Sequence, residues 1–99
     1  MTVSIQAISF TADQALIELA QRKVQKLNTF HDKIVDVEVF LKLDEKSSNI
    51  KDKKVKVRCN IPGASLFAEE TTKLFEEGVD LAVDSIRRQL KKHKAKLRA

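Results

Sequence analysis

The residues with the clearest chemical role form a basic block at the end of the chain, IRRQLKKHKAKLRA, residues 86–99. Residues 87–98 hold seven cationic side chains and no carboxylate: Arg87, Arg88, Lys91, Lys92, Lys94, Lys96 and Arg98. The whole chain has 19 Lys and Arg against 14 Asp and Glu, a formal net charge of +5. Without those seven, the balance of the chain is slightly negative. The positive charge is therefore concentrated in one short segment, and it indicates an anionic partner.

The spacing of the block is that of one face of a helix. Positions 87, 91, 94 and 98 recur at i, i+4, i+7 and i+11, in one stripe beside the apolar positions. Matching of the helix dipole explains only two or three bases, because it acts within the last turn. It does not explain like charges at i, i+4, such as Arg87 with Lys91 and Arg88 with Lys92. We interpret the block as a surface for nucleic acid or another polyanion; the alternative is a solvated charged face.

A predicted first helix can extend this surface. Arg22 and Lys26 lie beside its apolar stripe, and Lys23 falls within the stripe. A lysine in that position usually lays its aliphatic stem along the edge of the core and keeps its amine in water. The alternative is that the Lys23 amine emerges beside the last helix and adds to the cationic surface.

One predicted sheet face is polar. Lys54, Lys56 and Arg58 alternate along one strand, opposite Asp36 and Glu38 on its neighbour, and cross-strand ion pairing explains most of this pattern. Phe40 is the one aromatic residue that we predict on this face, whereas sheets that stack bases usually present two or three. We therefore expect any nucleic-acid binding to read backbone and shape, with a strong dependence on salt.

Other kinds of site have little support. The chain has one cysteine, Cys59, and two histidines without ligand spacing, so we expect no disulfide, metal or other cofactor. It has no glycine-rich phosphate loop and no nucleophile elbow, so we do not expect an enzyme or a small-molecule substrate. No long apolar run or secretory signal is present, and the expected location is cytoplasmic, away from membranes.

The hydrophobic pattern predicts a single domain over residues 1–99, with the order β-α-β-β-β-α. The predicted strands cover residues 2–8, 33–43, 54–61 and 64–69, and the predicted helices cover 12–29 and 72–97. Thr11 and Gln14 form a possible capping box, and Thr72 is the expected N-cap of the last helix. The polar residues 44–53 are expected to form a hairpin loop, and Pro62-Gly63 a turn.

This order predicts an α+β fold. A strand–helix–strand start implies a parallel first pair with a right-handed crossover, and the hairpins then add antiparallel strands. Both helices should cover the apolar face of a four-stranded mixed sheet, giving a two-layer sandwich. On the apolar face we expect Val35, Val37, Val39, Leu41 and Leu43 of the second strand.

Two stretches, KVQKLNTFHDKIVDVEVFLKL and DLAVDSIRRQLKKHKAKLR, resemble the ribosome hibernation-promoting factor and ribosome-associated inhibitor family, which includes sigma-54 modulation protein-like chains. The resemblance covers essentially the whole chain and has the same element order. Its most specific parts are Lys26-Leu27 and the run from Arg88 to Lys94. Many members have an Asp-Met-Tyr-like triplet where this chain has Lys73-Leu74-Phe75. The chain ends at Ala99 and lacks the C-terminal domain of long members, so it resembles the short type.

The resemblance implies a stress or stationary-phase protein that binds ribosomal RNA of the small ribosomal subunit near the decoding centre. There it would block messenger and transfer RNA and inhibit translation, and off the ribosome it would be monomeric. The family's basic positions map onto Lys23, Lys26 and six positions of the last helix: Arg87, Arg88, Lys91, Lys92, Lys94 and Lys96. With Arg22 and Arg98, which the helical spacing adds, these are the predicted RNA-binding residues.

Two alternatives remain open from the residues. A double-stranded-RNA-binding-like module shares a helix–strands–helix plan, but it places its lysines at the start of the last helix, where this chain has Glu76 and Glu77. A protein-interaction adaptor would use the polar sheet face and keep the basic helix as a solvated surface.

Overall fold

The structure is a computed structural model that describes residues 1–45 and 51–98. The elements follow the predicted order β-α-β-β-β-α. The strands are β1 (Thr2–Ile8), β2 (Asp36–Glu45), β3 (Lys51–Ile61) and β4 (Ala64–Thr72). The helices are α1 (Gln14–Gln25), which continues as a short 3-10 helix (Lys26–Thr29), and α2 (Phe75–Arg98).

The four strands form one mixed sheet in the order β1-β2-β3-β4. The first pair is parallel, as the strand–helix–strand start predicts, and the other two pairs are antiparallel. At the centre of the sheet Val39 pairs with Ile5 on one side and Val57 on the other. This register places every second residue of neighbouring strands on the same face.

Both helices cover the apolar face of the sheet, which confirms the two-layer α+β sandwich. The sheet contributes buried side chains from its two central strands: Val37, Val39, Leu41, Val55, Val57, Cys59 and Ile61. The helical layer contributes Ala20, Val24, Leu27, Val79, Ala82, Ile86 and Leu90. Burial at i, i+3 or i+4, and i+7 in α2 is the spacing of a helix that packs one stripe against a sheet.

Gly78 shows how closely α2 approaches the sheet. A Cβ atom at this position would lie 2.8 Å from Val55 Cγ2 and 2.9 Å from Thr72 Oγ1. Both distances are shorter than carbon and oxygen atoms tolerate without movement. Glycine weakens a helix by up to about 1 kcal/mol relative to alanine, and the close contact explains why it occupies this turn.

Cys59 is a core residue of β3 and is not part of a disulfide. Burial, with a smaller contribution from the Asp36 carboxylate, raises the pKa of the Cys59 thiol to about 11. Because the thiolate is the reactive form, the raised pKa and the burial of Cys59 both disfavour its reaction in the folded chain.

The helix starts differ from the predicted ones. Asp13 is the N-cap of α1, and its Oδ1 accepts a hydrogen bond from the Leu16 N–H at 2.8 Å. The predicted capping box of Thr11 and Gln14 is therefore wrong, because Gln14 is already the first helical residue. The predicted N-cap Thr72 is wrong as well, since it pairs with Lys53 as the last residue of β4.

The hairpin between β2 and β3 is tighter than the polar sequence predicts. Polar residues were expected to form a loop over 44–53, but the strands continue to Glu45 and Lys51, which pair with each other. Backbone hydrogen bonds extend the ladder regardless of side-chain polarity. The rest of the predicted loop, residues 46–50, lies outside the described residues. Val35, predicted on the apolar face, precedes β2 and is 57% exposed.

Candidate nucleic-acid interface

The C-terminal half of α2 extends beyond the core. Among the side chains of α2 that the structure describes, Leu90 is the last that the core buries, and residues 91–96 are exposed or half-buried. The 24 residues of α2 span about 36 Å at 1.5 Å per residue, in a molecule whose longest dimension is 49 Å. The basic segment, residues 87–98, therefore begins over the end of the core and continues past it.

Four side chains, which we call the lysine set, dominate this projecting part: Lys91, Lys92, Lys94 and Lys96. All four are exposed. None of them forms an ion pair with any side chain in the part of the chain that the structure describes. The lysine set therefore presents uncompensated positive charge to solvent on a regular helical scaffold.

The two arginines at the start of the basic segment share one carboxylate. Arg87 donates to Asp84 Oδ1 from Nε at 3.2 Å and from Nη2 at 2.8 Å. Arg88 Nε lies 3.3 Å from Asp84 Oδ2. The hydrogen bond from Arg87 and the charges of both arginines lower the pKa of Asp84, against a smaller opposing effect of desolvation. Two guanidinium groups on one carboxylate leave a net positive charge.

Phe30 gives Arg87 a second contact. The Arg87 guanidinium lies 5.7 Å from the centroid of the Phe30 ring, which follows the 3-10 helix and is 46% exposed. This cation–π contact fixes the start of the basic segment beside the end of the first helical segment. Sequence spacing could have identified Asp84 as the partner of Arg87 and Arg88, because it precedes them by three and four residues. No sequence pattern links Phe30 to Arg87.

The three basic residues predicted in the first helical segment are placed differently from one another. Arg22 and Lys26 are exposed and have no ion pair with a described side chain. Lys23 is only 23% exposed along its side chain, and its amine contacts the Asp80 carboxylate of α2. The Lys23 amine thus emerges beside α2, as the alternative reading expected, but an acidic residue already compensates its charge.

Two contacts show the relative direction of the first helical segment and α2. Lys23 of α1 meets Asp80, and Phe30 farther along the chain meets Arg87. The first helical segment and α2 therefore run side by side in the same direction, and the lysine set lies beyond the end of this contact. Arg98, the last predicted site residue, is the final residue of α2, and its side chain lies outside the described part of the structure.

The open face of the sheet carries ion pairs, but the partners extend beyond the predicted ones. Arg58 pairs with Glu38 across β2 and β3 at 3.9 Å, as expected. Lys54 and Lys56 instead reach Glu69 of β4, at 3.4 and 3.7 Å. The prediction missed this acid because the fourth strand has a weak pattern.

A second aromatic residue also lies on the open face. The prediction that Phe40 is alone there is wrong, because Phe67 points the same way and is 61% exposed. The outward direction of Phe67 follows from its pairing with Arg58.

The described residues contain neither a metal-binding cluster nor a helix that could cross a membrane. Within residues 1–45 and 51–98, no three His, Cys, Asp or Glu side chains are grouped to hold a metal ion. Over the same residues, no helix combines the length and apolar character needed to cross a membrane.

Three curated relatives share sequence with the chain. A ribosome hibernation promotion factor from Deinococcus radiodurans is 32% identical over 79 residues, covering 80% of this chain and 41% of that protein. A ribosome hibernation promotion factor from Bacillus subtilis is 31% identical over 97 residues, covering 98% and 50%. A ribosome hibernation promoting factor from Pseudomonas putida is 29% identical over 96 residues, covering 97% and 89%. The chain thus spans half or less of the first two relatives.

A solved structure and a family model agree with these relatives. The structure of a ribosomal subunit interface protein from Coxiella burnetii superposes with a TM-score of 0.84 at 22% identity, covering 96% of this chain and 99% of that one. At this identity the likeness confirms the fold. The model of the family described as Sigma 54 modulation protein / S30EA ribosomal protein matches residues 3–98. The prediction that the chain is not an enzyme agrees with this family, whose curated relatives are ribosome hibernation factors. The chain belongs to this family of ribosome hibernation factors, as its sequence resemblance indicates.

Proposed function

We propose that the chain is a ribosome hibernation factor that binds ribosomal RNA of the small ribosomal subunit near the decoding centre. Bound there, it excludes messenger and transfer RNA and stops translation under stress or in stationary phase. It acts in the cytoplasm, and it is monomeric off the ribosome. Family membership and the hibernation factors among its relatives support this proposal.

One observation carries the proposal: the lysine set stands on a helix that continues past the core, and no described carboxylate compensates it. Like charges at i, i+4 on a helix repel each other by a few tenths of a kcal/mol per pair. Such an array gains stability when phosphates neutralise it, and RNA supplies phosphates at regular intervals.

Each part of the site has a distinct task in this proposal. The lysine amines act as mobile point charges that follow the RNA backbone. Arg87 and Arg88 are held by Asp84, which orients their guanidinium groups for paired hydrogen bonds to phosphate oxygens. Arg22 and Lys26 add two exposed cations from the neighbouring helical segment. Arg98 extends the helical stripe of the basic segment by one position.

A double-stranded-RNA-binding-like module is less well supported. Such a module would need cations at the start of α2, but Glu76 and Glu77 occupy the first turn. Carboxylates there complement the helix dipole and repel phosphate. We therefore place the RNA contact at the C-terminal half of α2. In this proposal, inhibition results from occupying space on the small subunit.

Competition on isolated small subunits tests the proposal. Subunits are incubated with the chain, then with labelled messenger and transfer RNA, and the retained RNA is measured by filter binding. We expect the chain to reduce binding of both RNAs, and excess messenger and transfer RNA to release the chain in co-sedimentation. Stable co-binding of the chain with both RNAs would contradict the proposed position.

A pair of double variants controls this experiment. K91E/K94E reverses two charges of the lysine set, whereas K33E/K73E reverses two exposed lysines elsewhere. The two variants have the same net charge. Only K91E/K94E should lose the ability to displace messenger and transfer RNA.

A further inference from the structure

Phe30 is an exposed phenyl ring on a well-fixed stretch of backbone. It follows the 3-10 helix (Lys26–Thr29), and its N–H donates to the Leu27 carbonyl at 3.0 Å. Leu27 and His31, on either side of it, are buried, whereas Phe30 itself stays 46% exposed and is not a member of the core. Core packing therefore explains where the backbone of this turn lies, but it does not explain the ring.

The Arg87 guanidinium has two contacts that leave one of its edges unused. Its side edge, formed by Nε and Nη2, donates to Asp84 Oδ1 at 3.2 and 2.8 Å. Its central carbon lies over the Phe30 ring, 5.7 Å from the centroid. A guanidinium group has five N–H donors in a rigid plane. The end edge, formed by Nη1 and Nη2, therefore keeps donors that these two contacts do not use.

Asp84 alone holds Arg87 only weakly. The two residues are three positions apart on α2, and their side chains are 38% and 47% exposed. Exposed pairs at this spacing contribute little, because the long side chain loses rotamer freedom and water screens the charges. Arg88 also contacts the same carboxylate, through Oδ2. The Phe30 ring therefore supplies the second contact that orders the Arg87 side chain.

This contact lies where the two groups of predicted RNA-binding cations meet. Lys26 begins the 3-10 helix that Phe30 follows, and Arg87 begins the basic segment of α2. A side chain that is already ordered in the free chain loses less conformational entropy when it binds. Arg87 is therefore prepared for binding by residues that are not themselves cations.

We propose that Phe30 is a positioning residue of the RNA site, whose ring holds the Arg87 guanidinium beside Asp84 so that its end edge meets an RNA phosphate. The role rests on the proposed function, and it requires no contact between Phe30 and RNA. An arginine presented in this way makes paired hydrogen bonds to phosphate oxygens, whereas a lysine acts as a point charge.

A double-mutant cycle on isolated small ribosomal subunits tests this role. Co-sedimentation gives the affinities of the parent, F30L, R87Q and F30L/R87Q. We expect F30L to weaken binding by about two- to fivefold, the range of one exposed cation–π contact, and to have no effect in the R87Q background. F30Y keeps an aromatic ring and should bind as the parent does. The same loss in both backgrounds would overturn the role, because it would show a direct RNA contact or general support of the fold.

F67L is the matched control for F30L. Phe67 is also exposed, and the Arg58 guanidinium lies 5.8 Å from its centroid, but this pair is on the open face of the sheet. F67L therefore removes the same kind of contact away from the basic segment, and it should leave the affinity unchanged. Equal losses in F67L and F30L would also overturn the role. Circular dichroism and thermal melting confirm that each variant is folded.

An NMR titration of Asp84 in the free chain reports the same contact without the ribosome. The hydrogen bond from Arg87 is the main cause of the lowered pKa of Asp84. F30L should therefore move the midpoint toward its ordinary value, and F30Y should leave it in place. An unchanged midpoint in F30L would overturn the role of Phe30. A parent chain that does not bind small subunits would instead overturn the proposed function, whatever the Asp84 midpoint is.

Discussion

Asp84 sets how the basic segment begins, because it is the one described acid that contacts both Arg87 and Arg88. A carboxyl group whose pKa is lower in the folded chain contributes stability that is fully present above its unfolded-state pKa. That contribution is lost as the pH falls through the lowered value. At neutral pH the carboxylate is therefore ionised, and it holds both guanidinium groups in place.

This state of Asp84 can be measured directly. A titration of the Asp84 side-chain carboxyl carbon by NMR should give a midpoint below the ordinary value of 3.8. In R87Q the midpoint should move back toward that value, because the hydrogen bond from Arg87 is the main cause of the lowered pKa. A midpoint that R87Q leaves unchanged would show that Arg87 does not hold this carboxylate.

Gly78 carries a prediction about packing. The G78A substitution gains up to about 1 kcal/mol of helix propensity, but its Cβ would press on Val55 in the core at 2.8 Å. Overpacking of a filled core typically costs about 1–3 kcal/mol, so we expect a net loss of about 1 kcal/mol in the free energy of unfolding by urea. The neighbouring E77A, at an exposed position, is the control, and it should stay within about 0.5 kcal/mol of the parent. A G78A chain more stable than E77A would contradict the close approach.

At the scale of elements, the sequence predicts the strands and helices whose buried residues recur at a regular spacing. Period-two alternation at Val37, Val39 and Leu41 identifies the central strand, and helical spacing at Val79, Ala82, Ile86 and Leu90 identifies the buried stripe of α2. Element order then gives the parallel first pair. These patterns succeed because each reflects one buried face.

Other features depend on tertiary contacts that no local pattern reports. The continuation of β4 to Thr72 depends on pairing with β3. Asp13 competes with Thr11 as the cap of α1, and local sequence allows either. Of the candidate site, the exposure of the lysine set follows from the helical spacing. The contacts of Lys23 with Asp80 and of Arg87 with Phe30 required the packing of one helix on another.

The basic segment makes a prediction about helical order. Ala95 is an exposed residue between Lys94 and Lys96, and A95P should break the last turns of α2 without changing its charge. We expect weaker binding to small ribosomal subunits with little change in global melting, since Leu90 is the last described core residue of α2. The control A95S keeps the helix and should bind as the parent does. Equal affinities of A95P and A95S would show that charge alone is sufficient.

At the scale of the whole molecule, the core and the lysine set occupy different parts of the chain. The sheet, the first helical segment and α2 as far as Leu90 form the core, and residues 91–96 of α2 lie mostly in solvent. In the proposed function, stability and binding therefore depend on different residues, and we expect that charge can be removed from the lysine set without unfolding the domain.

Because the lysine set is separate from the core, we can predict how salt concentration changes the affinity for small ribosomal subunits. Each lysine that neutralises one phosphate contributes up to about one unit to the slope of log affinity against log salt concentration. Single Lys→Ala changes in the lysine set should each weaken binding modestly and reduce the slope by up to about that amount. The slope is measured from co-sedimentation with small subunits at several salt concentrations, and K73A serves as the unchanged control.

The most direct test of the account is the affinity for isolated small ribosomal subunits over a salt series, measured for the parent chain, K91E/K94E and K33E/K73E. We expect the parent and K33E/K73E to bind with an affinity that falls steeply as salt rises, and K91E/K94E to lose binding while its circular dichroism and melting stay unchanged. Equal binding by the two folded double variants, or an affinity that salt does not change, would contradict the claim that the lysine set binds RNA phosphates.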